Sequence, residues 1–522
     1  GCGDCGRKSN CVAILPLETE FGRKRTIDQS ACNKDYSCIE GFCPSFVTVH
    51  GAKPRKSKGL ASGSAIATML GSLPEPRLPS LDKPYAMLVT GVGGTGVVTV
   101  SAVLGQAAHL DGKGFGGIDM TGLAQKGGAV ACHMCFANSP DDIHAIRVGV
   151  AGADVVIGGD LVVTASTAVL ETVKPDVTAV VYSNYEMTTG DFTHNPNLTV
   201  PGAKLAEAIR ARVQRGPLYS LDAHAYAVKL FGDSIASNMF LLGVAYQLGY
   251  VPVGAAAIEQ AIELNGTAVA MNEQAFRFGR LAAHDRGALD RLATPAEPPQ
   301  QPKTLDEIIA VRAGHLTAYQ DEALAQRYRA RVEDIARLER ERTPGLTGLA
   351  EAVARAYHKL LAYKDEYEVA RLYTDGAFQA ELDKTFEGVR KIEFHLAPPL
   401  LARRDKATGE PRKMRFGPWM LPVFRLLAKY KRLRGTRWDI FGMTAERRRE
   451  RQTIADYESL LDEIARRLTP ATHAVALALA KLPEDIKGFG HIKEANYAKA
   501  KKRESELLVH LTGPRPLLAA AE

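Results

Sequence analysis

Hydrophobic and polar positions alternate in two ways along the middle of the chain. Short apolar runs, typical of buried strands, lie between stretches in which apolar residues recur every three or four positions, as on one face of a helix. The predicted strands are 86–90, 129–136, 155–157 and 177–182, and the predicted helices are 96–111, 239–248, 255–264 and 272–281. This alternation predicts an α/β domain in which helices cover a parallel sheet.

The pattern changes on both sides of this middle part. Capping boxes at Thr304 with Glu307, before a helical run to about residue 340, and at Thr453 with Asp456 predict a mostly helical C-terminal region. Two proline-containing segments without periodicity are predicted as linkers. The predicted organisation is a cysteine-rich head at 1–50, a linker at 51–84, an α/β domain at 85–293, a proline-rich linker at 294–303 and a helical domain at 304–522.

Composition excludes fibrous structure and wholesale disorder. The chain has 522 residues, of which 46% are hydrophobic and 24% charged, close to the globular average. Its net charge is +7, but the stretch 403–451 alone holds 16 basic against five acidic residues. The basic character is therefore local, which indicates a docking face rather than a general affinity for polyanions.

The uncharged run 85–110 is long enough to span a bilayer. Five glycines interrupt it, however, and a strand that turns into a helix explains it better. No secretory signal precedes it. We therefore expect a cytoplasmic protein without a membrane span.

Six of the eight cysteines lie within the first 43 positions: Cys2, Cys5, Cys11, Cys32, Cys38 and Cys43. Such crowding without a secretory signal points to a soft-metal centre more than to disulfides. Cys43 is followed by proline, as in bacterial ferredoxin runs, which favours an iron–sulfur site. A structural zinc site is the weaker alternative, because only one pair has C-x2-C spacing; unliganded thiols are the third. Six thiolates suffice for one four-iron cluster and fall short of two.

A glycine-rich motif follows the first predicted strand and opens the first predicted helix. It fits G-x-G-x-x-G and comprises Gly91, Gly93, Gly94 and Gly96. Glycines allow close backbone approach, and a helix N-terminus offers amides to a phosphate. Asp119 could serve as the acid that binds a ribose. The alternative is that the glycines only pack a strand against a helix.

A second glycine pair, Gly127 and Gly128, could contact a phosphate or shape a turn. Cys132 and Cys135 also have C-x2-C spacing. They lie in a predicted strand, where side chains three apart point to opposite faces. We therefore expect them to be buried thiols and not metal ligands.

Several motifs together resemble one enzyme family. The head, with GCGDCG at 1–6, ETEFGRK at 18–24 and GFCPSF at 41–46, resembles the long fused indolepyruvate ferredoxin oxidoreductases. The middle resembles the gamma domain of 2-oxoacid:ferredoxin oxidoreductases, with its glycine motif, GLAQKGG at 122–128 and IELNG at 262–266. The end resembles the C-terminal extension of the fused enzymes, with YKDEYEVARL at 363–372 and KGFGH at 487–491.

The resemblance implies a Rossmann-like domain between a ferredoxin-like segment and a helical extension. It implies oxidative decarboxylation of an arylpyruvate such as indolepyruvate to an acyl-CoA, with thiamine diphosphate, magnesium and coenzyme A. The six head cysteines would hold one [4Fe–4S] cluster, with a second left open, and pass electrons to ferredoxin. The glycine loop would then lie near the coenzyme A phosphates. The resemblance makes nicotinamide binding by this loop a less favoured interpretation. A homo-oligomer is expected.

The thiamine site of this family carries a Gly-Asp-Gly motif, which the chain lacks. Gly-Asp occurs at 159–160, 190–191 and 232–233, each time without the second glycine. The chain also opens at Gly1 inside a cysteine motif. We therefore expect the thiamine-binding part in N-terminal domains of the same polypeptide, so that this chain alone would not decarboxylate its substrate.

Two functions from other classes stay open. One is a stand-alone electron carrier that links a cluster to a flavin or nicotinamide through the Rossmann-like domain. The other is an iron–sulfur module that holds nucleic acid on the basic stretch, where aromatic residues are interleaved with the charges. For that stretch itself, a solvated helical face with inward aromatics is favoured, ahead of a docking surface for an acidic ferredoxin; nucleic acid is the least favoured.

Overall fold

The computed structural model describes residues 1–55, 64–121, 128–188, 190–293, 302–398 and 412–512. Its N-terminal head contains α1 (Asp4–Ser9), β1 (Ile14–Leu17), β2 (Lys24–Ile27), a 3-10 turn (Ser37–Glu40), β3 (Val47–His50) and β4 (Lys53–Pro54). Strands β1 and β2 form an antiparallel hairpin. The segment predicted as the first linker contains β4 and the helix α2 (Ser64–Gly71).

The central domain is built on six strands: β5 (Tyr85–Val92), β6 (Gly114–Thr121), β7 (Ala129–Ala137), β8 (Val155–Gly158), β9 (Ala179–Ser183) and β10 (Leu218–Leu221). Their order is β10-β9-β8-β5-β7-β6. The first four are parallel, whereas β7 runs antiparallel to β5 and to β6. The predicted α/β class is confirmed. The sheet is mixed because only seven residues join β6 to β7, too few for a parallel crossover.

Helices cover both faces of this sheet. They are α3 (Val97–Leu110), α4 (Leu161–Thr164), α5 (Thr167–Leu170), α6 (Asp191–His194), α7 (Gly202–Val213), α8 (Ala223–Phe231), α9 (Ser237–Gln247), α10 (Ala255–Asn265), α11 (Val269–His284) and α12 (Arg286–Ala293). Met87 and Val89 face α3 and α9, and Leu88 and Val156 face α7. Burial on both faces explains why these strands read as continuous apolar runs.

Two glycines let α9 and α11 pack backbone to backbone. A Cβ atom on Gly243 would lie 1.9 Å from the Phe276 carbonyl oxygen, and one on Gly279 would lie 1.9 Å from that of Phe240. Only glycine fits at either position, because a real Cβ atom would overlap backbone.

The C-terminal region is mostly helical, as predicted. It contains α13 (Leu305–Tyr319), α14 (Glu322–Arg342), α15 (Leu349–Leu361), α16 (Glu366–Leu372), α17 (Ala377–Thr385), β11 (Phe386–Glu387), β12 (Lys391–Leu396), β13 (Met414–Phe416), α18 (Met420–Lys429), α19 (Ala445–Arg467), α20 (His473–Lys481) and α21 (Gly490–Thr512). No helix in the described ranges is both long and apolar enough to cross a membrane.

The two predicted capping boxes have different outcomes. Thr304 and Glu307 form a complete box at the start of α13, which confirms that prediction. The prediction at Thr453 is wrong, because α19 begins at Ala445 with Thr444 as its cap. The Thr453 hydroxyl donates to the Arg449 carbonyl one turn back, which is how threonine satisfies its hydroxyl inside a helix.

Two small sheets made of strands from distant parts of the chain join the head to the helical region. Strand β12 pairs antiparallel with β3 of the head on one edge and with β13 on the other. Strand β4 pairs with β11. His395 on β12 also lies 2.7 Å from the Thr48 hydroxyl on β3, and both side chains are buried.

An ion pair is buried inside the helical region. The Arg434 and Asp365 side chains are each 3% exposed. The Arg434 Nη2 atom donates to Asp365 Oδ1 at 2.8 Å, and Nη1 donates to the Tyr319 carbonyl at 2.8 Å. Asp365 also caps α16 by accepting from the Glu368 amide at 2.9 Å. One carboxylate therefore holds both a helix start and a buried guanidinium.

We predict that Asp365→Ala lowers the stability of the helical region by about 3–5 kcal/mol, because Arg434 would be left buried without its partner. Urea unfolding followed by circular dichroism measures this. Asp176→Ala, which breaks an exposed ion pair with Arg215 in the central domain, is the control and should leave the helical transition unchanged. Equal effects of the two substitutions would contradict the prediction.

Candidate functional site

The carboxyl ends of the parallel strands form a crevice where the strand order reverses. From β5 the chain crosses to β6 and β7 on one side and later to β8 on the other. Side by side at this edge lie the glycine loop after β5 and the Gly159–Asp160 turn after β8. In open α/β sheets this is where ligands bind.

The glycine loop has the backbone shape that its sequence predicts. Gly94 and Gly96 have φ values of 90° and 97°, which side chains other than glycine rarely adopt. The Thr95 hydroxyl donates to the Val92 carbonyl at 2.8 Å, and the Asn238 side-chain amide donates to the Thr95 carbonyl. The loop is therefore fixed in front of α3.

The buried Asp160 side chain fixes this loop by a hydrogen bond to its backbone. It is 1% exposed; its Oδ2 atom accepts from the Val92 amide at 2.9 Å and its Oδ1 atom from the Val163 amide at 2.8 Å. Burial raises its pKa to about 6, against the opposing effect of these amide bonds. Sequence reasoning missed Asp160, although an Asp after a buried strand and before a helix is an N-cap signal.

Two amides of the loop are already bound to protein acceptors. The Val92 amide donates to Asp160, and the Gly93 amide donates to the Gly128 carbonyl at 2.7 Å. Gly128 therefore shapes the turn in which the glycine motif sits. Gly127 lies outside the described residues. These bonds favour the packing alternative for this part of the motif.

Asp119 does not lie at the glycine loop. It is on β6, opposite Cys132 of β7, and β7 separates β6 from β5. The suggested ribose role of Asp119 is therefore wrong. Sequence distance alone could not reveal that the strand after α3 is an edge strand two positions away.

A stacked aromatic pair at the same edge was not predicted. The Tyr185 ring lies parallel to the His224 ring, with centroids 3.9 Å apart. Burial, and then the nearby Asp28 and Asp222 carboxylates, raise the pKa of Tyr185 to about 12. Asp28 belongs to the head, so the head lies against this edge of the central domain.

Further contacts fix the head there. The Thr193 hydroxyl donates to Asn10 Oδ1 at 3.0 Å. Arg25 donates to the Pro196 carbonyl at 2.7 Å and Arg23 to the Leu198 carbonyl at 2.8 Å. Helix α6 and the loop after it therefore hold the cysteine-rich head in place through these hydrogen bonds.

Two sets of neighbouring thiols occur among the six predicted cysteine ligands. One set is Cys2, Cys5 and Cys43; the other is Cys11, Cys32 and Cys38. Burial, and then the neighbouring Cys43 and Cys2 thiols, raise the pKa of Cys5 to about 11. Burial, and then Cys11 and Cys32, raise the pKa of Cys38 to about 11. All six thiols are free of disulfides.

The donor chemistry of these sets fits a soft-metal cluster, although the thiols do not converge. Within the described residues, no three His, Cys, Asp or Glu side chains lie close enough to hold a metal ion. A Cβ atom on Gly41 would lie 2.7 Å from the Cys5 Cα atom, so only glycine permits this close packing. Each set supplies three thiolates, one fewer than a four-iron cluster takes.

Lys413 reaches from the basic stretch into the head. Its Nζ atom donates to the Ile39 carbonyl at 3.0 Å and to the Cys43 carbonyl at 2.7 Å. Burial lowers its pKa to about 8, while the Cys43 thiol and the Asp4 carboxylate act in the opposite direction. A lysine side chain is therefore held beside the first cysteine set.

The remainder of the basic stretch divides between core and surface. Phe416 and Phe424 pack inward as predicted, whereas Trp419 and Trp438 are 61% and 72% exposed. Arg403 and Arg404 lie outside the described residues. Cys132 and Cys135 are buried, as expected, at 0% and 5% exposure.

Comparison with known proteins identifies two regions. Residues 86–282 match the family described as pyruvate ferredoxin/flavodoxin oxidoreductase. Residues 305–506 match a family of unknown function (DUF6537).

Three similar proteins each match 38% or 39% of this chain. The indolepyruvate oxidoreductase subunit IorB of Pyrococcus horikoshii is 26% identical over 217 residues, which are 39% of this chain and 98% of that protein. The subunit of the same name from Thermococcus kodakarensis is 23% identical over the same shares. The solved pyruvate oxidoreductase subunit PORC of Thermotoga maritima has 20% identity and a TM-score of 0.28, covering 38% of this chain and 96% of its own.

The central domain is therefore similar to oxidoreductase subunits, and its residues 86–282 match the pyruvate ferredoxin/flavodoxin oxidoreductase family. This confirms the family resemblance drawn from the glycine motifs. The fusion to a thiamine-binding part stays a prediction.

We predict that Asp160→Asn changes how the stability of the central domain depends on pH. The folded-state pKa of Asp160, about 6, lies above its unfolded value of 3.8. Its contribution is therefore fully present below the unfolded value and is lost as pH rises through 6, by about 2–3 kcal/mol in total. The difference in free energy of unfolding between the wild type and Asp160→Asn should fall by that amount between acid and neutral pH.

Thermal unfolding of both proteins across this pH range measures the difference. Asp321→Asn removes the carboxylate that caps α14 and serves as a matched control outside the central domain. Parallel stability curves for wild type and Asp160→Asn would contradict the prediction.

Proposed function

We propose that this chain is the electron-transfer part of a 2-oxoacid:ferredoxin oxidoreductase that acts on indolepyruvate or a related arylpyruvate. The family match of residues 86–282 carries the proposal. The similar subunits are named for indolepyruvate, which supports the substrate class. In this proposal the acyl group passes to coenzyme A, and the electrons leave through the head to ferredoxin.

The six head cysteines would hold the redox centre of this path. An iron–sulfur cluster, when bound, accepts and releases one electron at a time. The chain's own residues supply thiolates from two sets, a fixed cation at Lys413 and a close glycine contact at Gly41. The head also lies against the crevice edge of the central domain, since Thr193 donates to Asn10.

The thiamine chemistry would come from a part of the enzyme other than this chain. Each Gly-Asp pair lacks the second glycine of the magnesium motif. One of them has another task, because Asp160 supports the glycine loop. Gly94 and Gly96, which turn the loop toward α3, would lie near the phosphates of coenzyme A.

The alternative is a stand-alone electron carrier with a nucleotide in the Rossmann-like domain. Two observations weigh against it: Asp119 lies two strands from the glycine loop, and the loop amides of Val92 and Gly93 are bound to protein acceptors. A flavin or nicotinamide found in the purified chain would favour this alternative.

We predict that the anaerobically reconstituted chain contains about four irons and equal sulfide, and that its reduced form has an EPR signal. Cys43→Ala and Cys38→Ala each remove one thiolate from a different set. Loss of iron in one variant alone assigns the cluster to that set, and loss in both variants shows that thiolates of both sets ligate it. Cys132→Ala, which removes a buried thiol of the central domain, is the control and should keep full iron.

Tightly bound zinc in place of iron would contradict this proposal for the head. Full iron in both head variants would also contradict it, because neither set would then be a ligand set. The family match of the central domain is independent of either result.

An exposed basic face near the head is suited to an acidic ferredoxin. Arg425, Lys429, Arg432 and Arg437 are exposed on and after α18. The α18 helix follows β13, which is joined through β12 to β3 of the head. Electrons that leave the cysteine sets would therefore emerge close to this face.

We predict that charge reversal of this face, Arg425→Glu with Lys429→Glu, slows electron transfer from the reduced chain to ferredoxin about tenfold at low salt, because it removes electrostatic steering. Stopped-flow absorbance measures the rate and needs no thiamine half. Lys204→Glu with Lys229→Glu, two exposed lysines of the central domain, is the matched control. Equal slowing by both pairs, or no dependence on salt, would contradict docking at this face.

A further inference from the structure

An exposed apolar stripe runs along helix α18. Its four residues follow one another at intervals of four, three and four positions, which places them on one side of a helix. They are Trp419, Val423, Leu426 and Tyr430, with exposed fractions of 61%, 38%, 56% and 49%. Single apolar side chains on a surface need no partner, whereas a continuous group of them indicates an interaction site. These four residues are called the α18 stripe below.

Exposed apolar residues are concentrated in this part of the chain. Of the 22 large hydrophobic side chains that are exposed among the described residues, eight lie between residues 414 and 443. Besides the α18 stripe, they are Met414, Trp438, Ile440 and Met443. Both tryptophans of the chain are among the eight. Tryptophan and tyrosine are the apolar residues that most often dominate binding at interfaces.

The opposite side of α18 packs on an aromatic core beside the head. Phe424 is 3% exposed, and its ring stacks on the Tyr373 ring with centroids 5.4 Å apart. The Tyr373 hydroxyl donates to the Pro44 carbonyl at 2.7 Å, and Pro44 directly follows Cys43. One helix and one aromatic pair therefore lie between the first cysteine set and the α18 stripe.

A second connection joins the same two places. The Trp419 ring lies edge-on to the Phe416 ring of β13, with centroids 6.0 Å apart. Phe416 is the register partner of Phe394 on β12, and Phe394 is that of Val47 on β3. Strand β3 begins four residues after Cys43. The α18 stripe is therefore held next to the head by its own helix and by the strand before it.

The sequence around the stripe is strongly basic. From residue 412 to 438 the chain has nine Lys or Arg and no Asp or Glu. Lys413 and Arg434 have partners inside the protein, in the Cys43 carbonyl and in Asp365. Arg425 and Lys429 are exposed on the same helix as the stripe. A partner for this surface must therefore combine negative charge with an apolar patch.

A second copy of this chain does not meet that requirement. A symmetric contact between two copies would bring the same basic residues together, and like charges opposed across an interface cost free energy. An acidic electron acceptor meets it better, because the stripe lies next to the first cysteine set and the basic residues attract such a partner from a distance.

We propose that the α18 stripe is the apolar contact on which an acidic ferredoxin docks. This inference rests on the proposed redox role of the head, and it adds to the basic face a short-range contact that holds the partner after charge has steered it. One electron then leaves the reduced centre of the head, which is oxidised, and the oxidised ferredoxin is reduced. A contact of four apolar side chains is small, as is typical of transient electron-transfer complexes.

Calorimetry of the full reconstituted chain with an oxidised, acidic [4Fe–4S] ferredoxin tests the proposal without any electron transfer. Trp419→Ala should weaken binding about tenfold and Leu426→Ala about fivefold. Because salt does not screen apolar contacts, both ratios to wild type should be equal at low and high salt. Arg425→Glu with Lys429→Glu should weaken binding at low salt and much less at high salt. Leu264→Ala, which truncates a similarly exposed leucine of α10, should bind as the wild type does.

Thermal unfolding without ferredoxin shows whether a variant damages the fold. Leu426→Ala should keep the melting temperature of the wild type, because its leucine is exposed and alanine favours the helix. Equal binding by wild type, Trp419→Ala and Leu426→Ala would overturn the proposal. Binding to phosphatidylglycerol vesicles that both variants lose, with ferredoxin binding unchanged, would also overturn it and would assign the stripe to a membrane surface.

Failure of this inference differs from failure of the proposed function. If the chain holds iron and reduces ferredoxin while the stripe variants behave as wild type does, only the docking site is wrong. If the head holds zinc, or the reconstituted chain does not reduce ferredoxin, the redox role is wrong and the stripe loses this partner with it.

Discussion

The head cannot be stable through its own core, and the remaining architecture follows from this constraint. A segment of about 50 residues buries too little apolar surface to offset its conformational entropy unless a metal, a disulfide or a neighbouring domain supports it. Here β3 joins the sheet of β12 and β13, Asn10 bonds Thr193 of α6, and Arg25 bonds the loop after α6. The cysteine sets are therefore positioned by two larger domains.

This dependence places the redox candidate between two surfaces with different chemistry. On one side lies the crevice edge of the parallel strands, with the glycine loop supported by Asp160. On the other side lies the helical region, which contributes Lys413 beside Cys43 and the exposed basic face beyond β13. An electron path from the crevice edge to an acidic partner would pass through the head, because the head contacts both domains.

The charges of the helical region divide into two groups with different energetics. Arg434 is buried and fully paired by Asp365 and the Tyr319 carbonyl, so it stabilises the fold. Arg312 is also buried, but its Nε and Nη1 atoms have no hydrogen-bond partner among the described atoms, so its burial is unfavourable. A basic stretch in a sequence does not distinguish these cases, because the difference depends on which acceptor the fold brings within hydrogen-bond distance.

The sequence by itself determined the α/β class, the strand and helix periodicity of 85–293, the capping box at Thr304 and the glycine loop with its positive φ values, because these depend on local geometry and on burial patterns. It could not determine that β7 runs antiparallel, that Asp119 lies two strands away from the loop, or that Asp160 supports the loop. Nor could it show which of the six cysteines are neighbours or that Arg434 pairs with Asp365. These features depend on contacts between residues far apart in the chain, which only the tertiary structure decides.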